Sequence, residues 1–278
     1  MKAHRVEHHA GNMLLYGSVA GVLLFFYIPI FTLILFSFTG SRFLTFPIES
    51  FTTGWFWVLV NSRDFMPALR NSATIATFAS LAATVLGTAG AIAWMRYRYR
   101  FQRLFQALTF SPLLFPQLLL GVVMLLWFSV LGGWIGFSPS IWTAIIGHVV
   151  YITPFALIII AVQLHGFDDT LEDAARDAGA NTWQVFREVT FPSMWPGIFV
   201  ALIFVFLLSW GNFYITYSLA GTARTLPTFV FSGIAVGSSP IYPALATLTF
   251  IPGLALLFVA EFFRRRAVAR RETRVKAE

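Results

Sequence analysis

The residues best able to do chemistry here lie in one acidic island, Asp168 to Pro192, between two long apolar segments. It reads D-D-T-L-E-D-A-A-R-D-A-G-A-N-T-W-Q-V-F-R-E-V-T-F-P. Six of the chain's 12 acidic residues fall in it: Asp168, Asp169, Glu172, Asp173, Asp177 and Glu188. No catalytic or metal-binding role is expected of these carboxylates. They suit ionic docking against a basic partner, or a solvated amphipathic connector. Asp169 with Glu172 has capping-box spacing, and an acidic first turn suits a helix N-terminus. Leu171, Ala174, Ala175 and Ala178 then form a narrow apolar stripe, which Gly179 ends in a left-handed position. Asn181 with Gln184 starts a second short helix, whose Trp183, Phe186 and Val189 are expected to face the membrane. Phe191-Pro192 is expected to stop that helix.

The elements that must position this island are membrane spans. Hydrophobic residues make up 58% of the 278, charged ones 11%, and the mean hydropathy is +0.75, outside the range of soluble domains. A span needs ~20 apolar residues to cross about 30 Å of hydrocarbon. Six segments meet that length: 13–38, 71–94, 105–131, 141–164, 197–218 and 243–263. The first is too long for a signal-peptide core and is expected to be retained. The predicted fold class is an all-α membrane protein, one domain over 1–278, with the island as a loop at 166–192. With both termini on one side, that side holds 15 of the 19 Lys and Arg residues and the other only Arg42, Arg63, Arg70 and Arg224. This bias places both termini and the island in the cytoplasm. The net charge of +7 is thus accounted for by topology and contact with lipid headgroups, and not by nucleic acid. There is no cysteine, so neither disulfides nor thiolate metal sites exist. No metal site is expected at His4, His8 and His9.

Polar residues inside spans cost free energy unless they face protein or water. Thr77, Ser80, Thr84 and Thr88 share one face of the second span and read as hydrogen bonding between helices. Ser209, Trp210, Asn212 and Tyr214 in the fifth span, with Gln117 after Pro112 and Pro116 in the third, are the candidate translocation path. Pro112 and Pro116 predict a kink. His148 reads as a satisfied packing residue, and Gly17 with Gly21 allows a close helix contact. The span interiors lack Asp, Glu, Lys and Arg, with Glu261 only at an inner end. That argues against an ion-coupled secondary transporter, and no catalytic pair supports an intramembrane enzyme. A channel fits the composition but gives no reason for the island.

The island resembles the EAA loop of ABC-importer permeases, whose pattern is E-A-A, three residues, G, nine residues, I-x-L-P. Asp173, Ala174 and Ala175 stand for E-A-A, Gly179 for the glycine, Val189 for the isoleucine and Phe191-Pro192 for L-P, with Glu172 just before. The resemblance implies that Glu172, Asp173, Ala174, Ala175, Gly179 and Pro192 couple this chain to a cytoplasmic ATPase. It also implies a homologous permease as partner in the pore, two ATPase subunits and an extracytoplasmic substrate-binding protein, in a bacterial inner membrane. The chain has no G-x-x-x-x-G-K-[ST] loop, so it is expected to bind no cofactor, and ATP with Mg²⁺ is assigned to the ATPase. Leu208-Ser209, Gly221, Thr225-Leu226-Pro227, Phe231-Ser232, Gly237, Pro240 and Ala244 to Thr247 are similar to the shorter second permease of the spermidine/putrescine branch. That branch carries acidic residues where Gly211 and Asn212 stand here. The cargo is therefore open between a polyamine and a zwitterionic or anionic solute such as an opine or aminophosphonate.

Overall fold

The computed structural model describes residues 2–136, 138–237 and 239–275. Twelve α-helices are formed among them: α1 (Lys2–Phe36), α2 (Gly54–Val60), α3 (Phe65–Arg96), α4 (Gln102–Phe110), α5 (Gln117–Ile135), α6 (Ile141–His165), α7 (Thr170–Asp177), α8 (Thr182–Val185), α9 (Phe191–Trp210), α10 (Tyr214–Leu219), α11 (Leu226–Val236) and α12 (Ile241–Val275). Five helical stretches are long and apolar enough to cross a membrane: Leu15–Phe36, Phe65–Arg96, Gln117–Trp134, Ile141–His165 and Thr182–Trp210. The expected sixth span lies in α12, which holds the shorter apolar stretch Ile241–Ala255 among the described residues.

The chain divides into two compact bodies. The first is Met1–Ser62 with Ser232–Ile251. After α1 its chain turns back on itself: Thr39 bridges Phe51, and Trp55 Nε1 donates to Thr39 O at 2.7 Å. A Cβ added at Gly17 or Gly21 would meet nothing within 4 Å among the described residues, so within this body the pair makes none of the close contact it allows. A chance G-x-x-x-G on an apolar helix carries no partner with it.

The second body, Arg63–Phe231 with Pro252–Glu278, holds the main core. Lipid removes the hydrophobic drive between helices, so close packing of small residues must supply the attraction. On α3 those residues are Ala79, Ala83, Gly87 and Ala91, four apart and all buried. They let α6 approach until a Cβ at Gly87 would lie 2.7 Å from Ala156 Cβ and 2.9 Å from Leu157 N. α9 packs on the same pair through Met194, Ile198, Ala201 and Val205. The hydroxyl face of α3 does not bridge helices as expected. Ser80 and Thr88 donate to Thr77 O and Thr84 O of their own helix, while the buried Thr84 hydroxyl has no partner among the described residues. Short hydroxyls reach their own preceding turn more easily than a neighbouring helix.

Two expected spans are interrupted. The segment 105–131 is not one helix: α4 passes into a 3₁₀ turn, Ser111–Leu114, and Pro116 precedes α5. The two prolines remove donors and make a break rather than a kink. The segment 197–218 is cut at Gly211, and Asn212 Oδ1 accepts from Ile215 N–H at 3.1 Å to start α10. An asparagine that caps the next helix this way competes with helix continuation.

Candidate functional site

The island folds as α7, a tight corner, and α8. At the corner Gly179 has φ of 88°, Gly179 N–H donates to Arg176 O at 2.9 Å, and Ala180 N–H to Ala175 O at 3.0 Å. This pair of bonds is the Schellman closure, and it needs a residue tolerant of the left-handed region. The second start signal also forms as read. Asn181 Oδ1 accepts from Gln184 N–H at 3.0 Å, and Gln184 Oε1 accepts from Asn181 N–H at 2.8 Å.

The first start signal differs from expectation. Asp169 makes no cap to the backbone; Asp168 does so instead, accepting from the amide and hydroxyl of Thr170 at 3.0 and 2.8 Å. Those two bonds hold the Asp168 carboxyl below its ordinary pKa. Asp169 and Glu172 are engaged elsewhere. Arg96, at the end of α3, places Nη1 2.5 Å from Asp169 Oδ1 and Nη2 2.9 Å from Glu172 Oε1. Thr190 Oγ1 donates to the same Glu172 oxygen at 2.6 Å, and Arg176 Nη2 lies 3.2 Å from the other. Arg176 also pairs with Asp173 at 2.8 Å, and Arg96 stacks 5.0 Å over the Phe167 ring. Glu172 is thus buried, at 8% exposure, although it lies in the chain's acidic island beside Asp168, Asp169, Asp173 and Asp177. Ala174, Ala178 and Gly179 remain exposed, as do Asp173 and Leu171, and Ala175 is half-buried. The outward face of α7 is therefore narrow, weakly apolar and exposed.

Pro192 does not end the second helix. From Thr182 to Trp210 the backbone is helical throughout, with a π turn at Phe186–Thr190. Phe191 N–H reaches back five residues to Phe186 O, and this wide turn makes room where a proline ring would otherwise strike the preceding carbonyls. Trp183, Phe186, Phe191 and Trp195 stack in sequence along the run, with successive centroids 5.7, 6.1 and 5.8 Å apart.

The path residues separate into two groups. Ser209 is buried, its hydroxyl 2.7 Å from His148 Nδ1, and Thr216 Oγ1 lies 2.8 Å from Nε2. Both ring nitrogens are occupied, so His148 is the satisfied packing residue expected, joining α6 to α9 and α10. Gln117, Asn212 and Tyr151 come together instead: Gln117 Nε2 donates to the Tyr151 hydroxyl, and Asn212 Nδ2 approaches Gln117 Oε1 at 3.5 Å. Trp210 is half-buried and stacks on Phe206, while Tyr214 is exposed beside Phe213. Tyr151, Arg96 and Thr190 were not picked out in the sequence. Arg96 is one of four arginines within eight residues, and only its contacts with Asp169, Glu172 and Phe167 distinguish it.

Residues 83–272 match the family model described as binding-protein-dependent transport system inner membrane component. The spermidine/putrescine transport system permease protein PotC of Escherichia coli (strain K12) is 29% identical over 256 residues, 92% of this chain and 95% of that protein. The putrescine transport system permease protein PotI of the same organism is 33% identical over 254 residues, 89% of each. Among solved structures, a bacterial ABC transporter involved in the import of the acidic polysaccharide alginate superposes with a TM-score of 0.70 at 18% identity, over 91% of this chain and 96% of that one.

Proposed function

The chain belongs to the family of binding-protein-dependent transport system inner membrane components, and from that premise we propose how this permease subunit carries its cargo and meets its ATPase. It works as a transport subunit and not as an enzyme; the ATP and Mg²⁺ belong to a separate chain. The segment 166–192 docks into a cytoplasmic ATPase through the outward face of α7, with Asp173, Ala174, Ala175 and Gly179 at the contact. Glu172 serves from beneath, and Pro192 sets the joint with the fifth span. The observation that carries this is the exposed α7 face beside a corner closed by Gly179. An eight-residue helix with so little burial of its own is marginal in water, and a groove on a partner would complete it. Six spans with cytoplasmic termini, the sixth in α12, put the segment on the ATPase side. A second, homologous permease completes the pore, two ATPase subunits power it, and an extracytoplasmic binding protein delivers cargo.

The cargo assigned first is polyamine-type, supported by the names of the relatives over most of the chain. A second assignment, a zwitterionic or anionic organic solute, is favoured by the polar path itself. Gln117, Asn212, Tyr151, Trp210 and Tyr214 offer amides, hydroxyls and rings with no carboxylate to hold a dication. Uptake of labelled putrescine, spermidine and a zwitterionic opine by cells carrying the complete importer decides between them. Putrescine uptake that vanishes on deletion of this chain supports the first, and uptake of the opine alone overturns it.

Asn212→Ala removes both the amide beside Gln117 and the cap on Ile215. It is expected to lower cargo flux by roughly tenfold, the loss of about 1.4 kcal/mol from one polar contact. The complex should still purify whole. Gln117→Leu, which spares the cap, should shift the preference among the three solutes. Unchanged flux and preference in both variants would return the pair to a purely packing role.

A further inference from the structure

Among the described residues, the ionic and side-chain hydrogen-bond ties from α7 and Asp169 to the spanning helices run through Glu172 and one guanidinium. Glu172 is buried at 8% exposure, and a buried carboxylate persists only when its lone pairs are filled. Arg176 fills one from within α7 itself. The other partners come from outside: Thr190, in the π turn that leads into α9, and Arg96, at the end of α3. Arg96 also holds Asp169, just before α7, so both ionic ties between the segment and α3 pass through this single residue. Apolar packing adds little to them, since Leu171 and Ala174 of α7 and Ala178 just beyond it are exposed and Ala175 is only half-buried. Arg98, Arg100 and Arg103 nearby pair with no acidic side chain among the described residues, so the pairing with Arg96 is selective.

We infer that Arg96 is a positioning residue for transport: it makes α3 follow α7, so that movement of the docked segment enters the α3–α6–α9 core. The inference deepens the docking assignment above and rests on it. Thr190 performs the matching task for α9 through the same Glu172 oxygen, so that α7 is held at two points, one on each helix. The geometry is that of a bracket: displacement of α7 cannot reach one helix without loading the other. A tie formed only of charge and hydrogen bonds can also be rebuilt after each cycle, which interlocked apolar side chains would resist.

The chain itself lacks cysteine, so once any cysteines of the partner subunits are replaced the introduced thiols report alone. Spin labels are placed at Asp177→Cys on α7 and Arg98→Cys beyond α3, both exposed, and their separation is measured in the assembled importer with and without ATP and vanadate. With Arg96 intact, one narrow separation is expected in both states. With Arg96→Gln the distribution should broaden and differ between states, while the ATPase still co-purifies. ATP hydrolysis without binding protein should then rise roughly tenfold, the scale of ordinary coupling between two sites. Arg96→Lys should fall between the two, since it keeps the charge and loses the fork that spans both carboxylates. A distribution as narrow in Arg96→Gln as in the parent overturns the inference. So does a broadened one with unchanged hydrolysis, and so does loss of the ATPase, which would make Arg96 a support for loop folding only. An intact parent that recruits no ATPase sinks the docking assignment instead, and the separations still decide whether Arg96 ties α7 to α3.

Discussion

Gly179→Val should abolish co-purification of the ATPase and with it ATP-driven uptake, while the chain still inserts and purifies in normal amount. The cause is backbone conformation. At φ of 88° a β-branched residue is strained, and a single L-residue in the left-handed region costs roughly 1–2 kcal/mol before branching is counted. No atom lies within 4 Å of a Cβ built there, so steric contact adds nothing. A short helix has little stability of its own to absorb such a cost, and the Schellman bonds to Ala175 and Arg176 are the first to be lost. The control is Gly179→Asn, because asparagine tolerates this region. Recovery of the ATPase in the Asn variant and its loss in the Val variant isolates the corner as the cause. If valine couples normally, the docking role of α7 is wrong.

Gly87→Leu should have a large effect on folding of the core. The added Cβ alone would sit 2.7 Å from Ala156 Cβ and 2.9 Å from a backbone nitrogen, neither of which can swing aside. Relief requires α3 and α6 to separate, which opens the Ala79–Ala83–Gly87–Ala91 seam along its length. Overpacking of this kind costs about 3 kcal/mol, the upper end of the usual range, because the obstacle is a helix backbone. Size-exclusion profiles and thermal unfolding in detergent report it as aggregation and a lowered midpoint. Gly17→Leu and Gly21→Leu serve as controls, since open space surrounds both positions, and they are expected to behave as the parent. A normal profile for Gly87→Leu would mean that the α3–α6 seam does not hold the core together.

Features that depend on a residue and its near neighbours in sequence were readable in advance. Gly179 as a C-cap and Asn181 with Gln184 as a capping box are of this kind, because a few backbone atoms close the geometry. His148 was readable for another reason, that an imidazole in a span without nearby carboxylates has few uses except filling hydrogen bonds. What failed depended on competition from distant residues. Asp169 and Glu172 have the spacing of a cap, but Arg96, more than 70 positions earlier, outbids the backbone for both carboxylates. Pro192 was read as a stop because the π turn that accommodates it leaves no compositional trace. The α3 seam was overlooked in favour of its hydroxyls, since Ala and Gly carry no conspicuous chemistry, yet between lipid-embedded helices the small residues decide how closely two backbones approach.

The unbroken helical run from Thr182 to Trp210 has a mechanical consequence. Its 29 residues measure about 43 Å at 1.5 Å each, whereas the hydrocarbon layer is about 30 Å thick. With the island on the water side as proposed above, roughly 13 Å of the same rod stands outside the slab as a lever arm, with the wide turn at 186–190 near its fulcrum. A sideways push of 2 Å on a 13 Å arm tilts it by about 9°, and over the remaining 30 Å the far tip sweeps about 5 Å in the opposite direction. The far tip is where Ser209 and Trp210 lie, so a small thrust at the water-exposed end becomes a more than twofold larger displacement at the other.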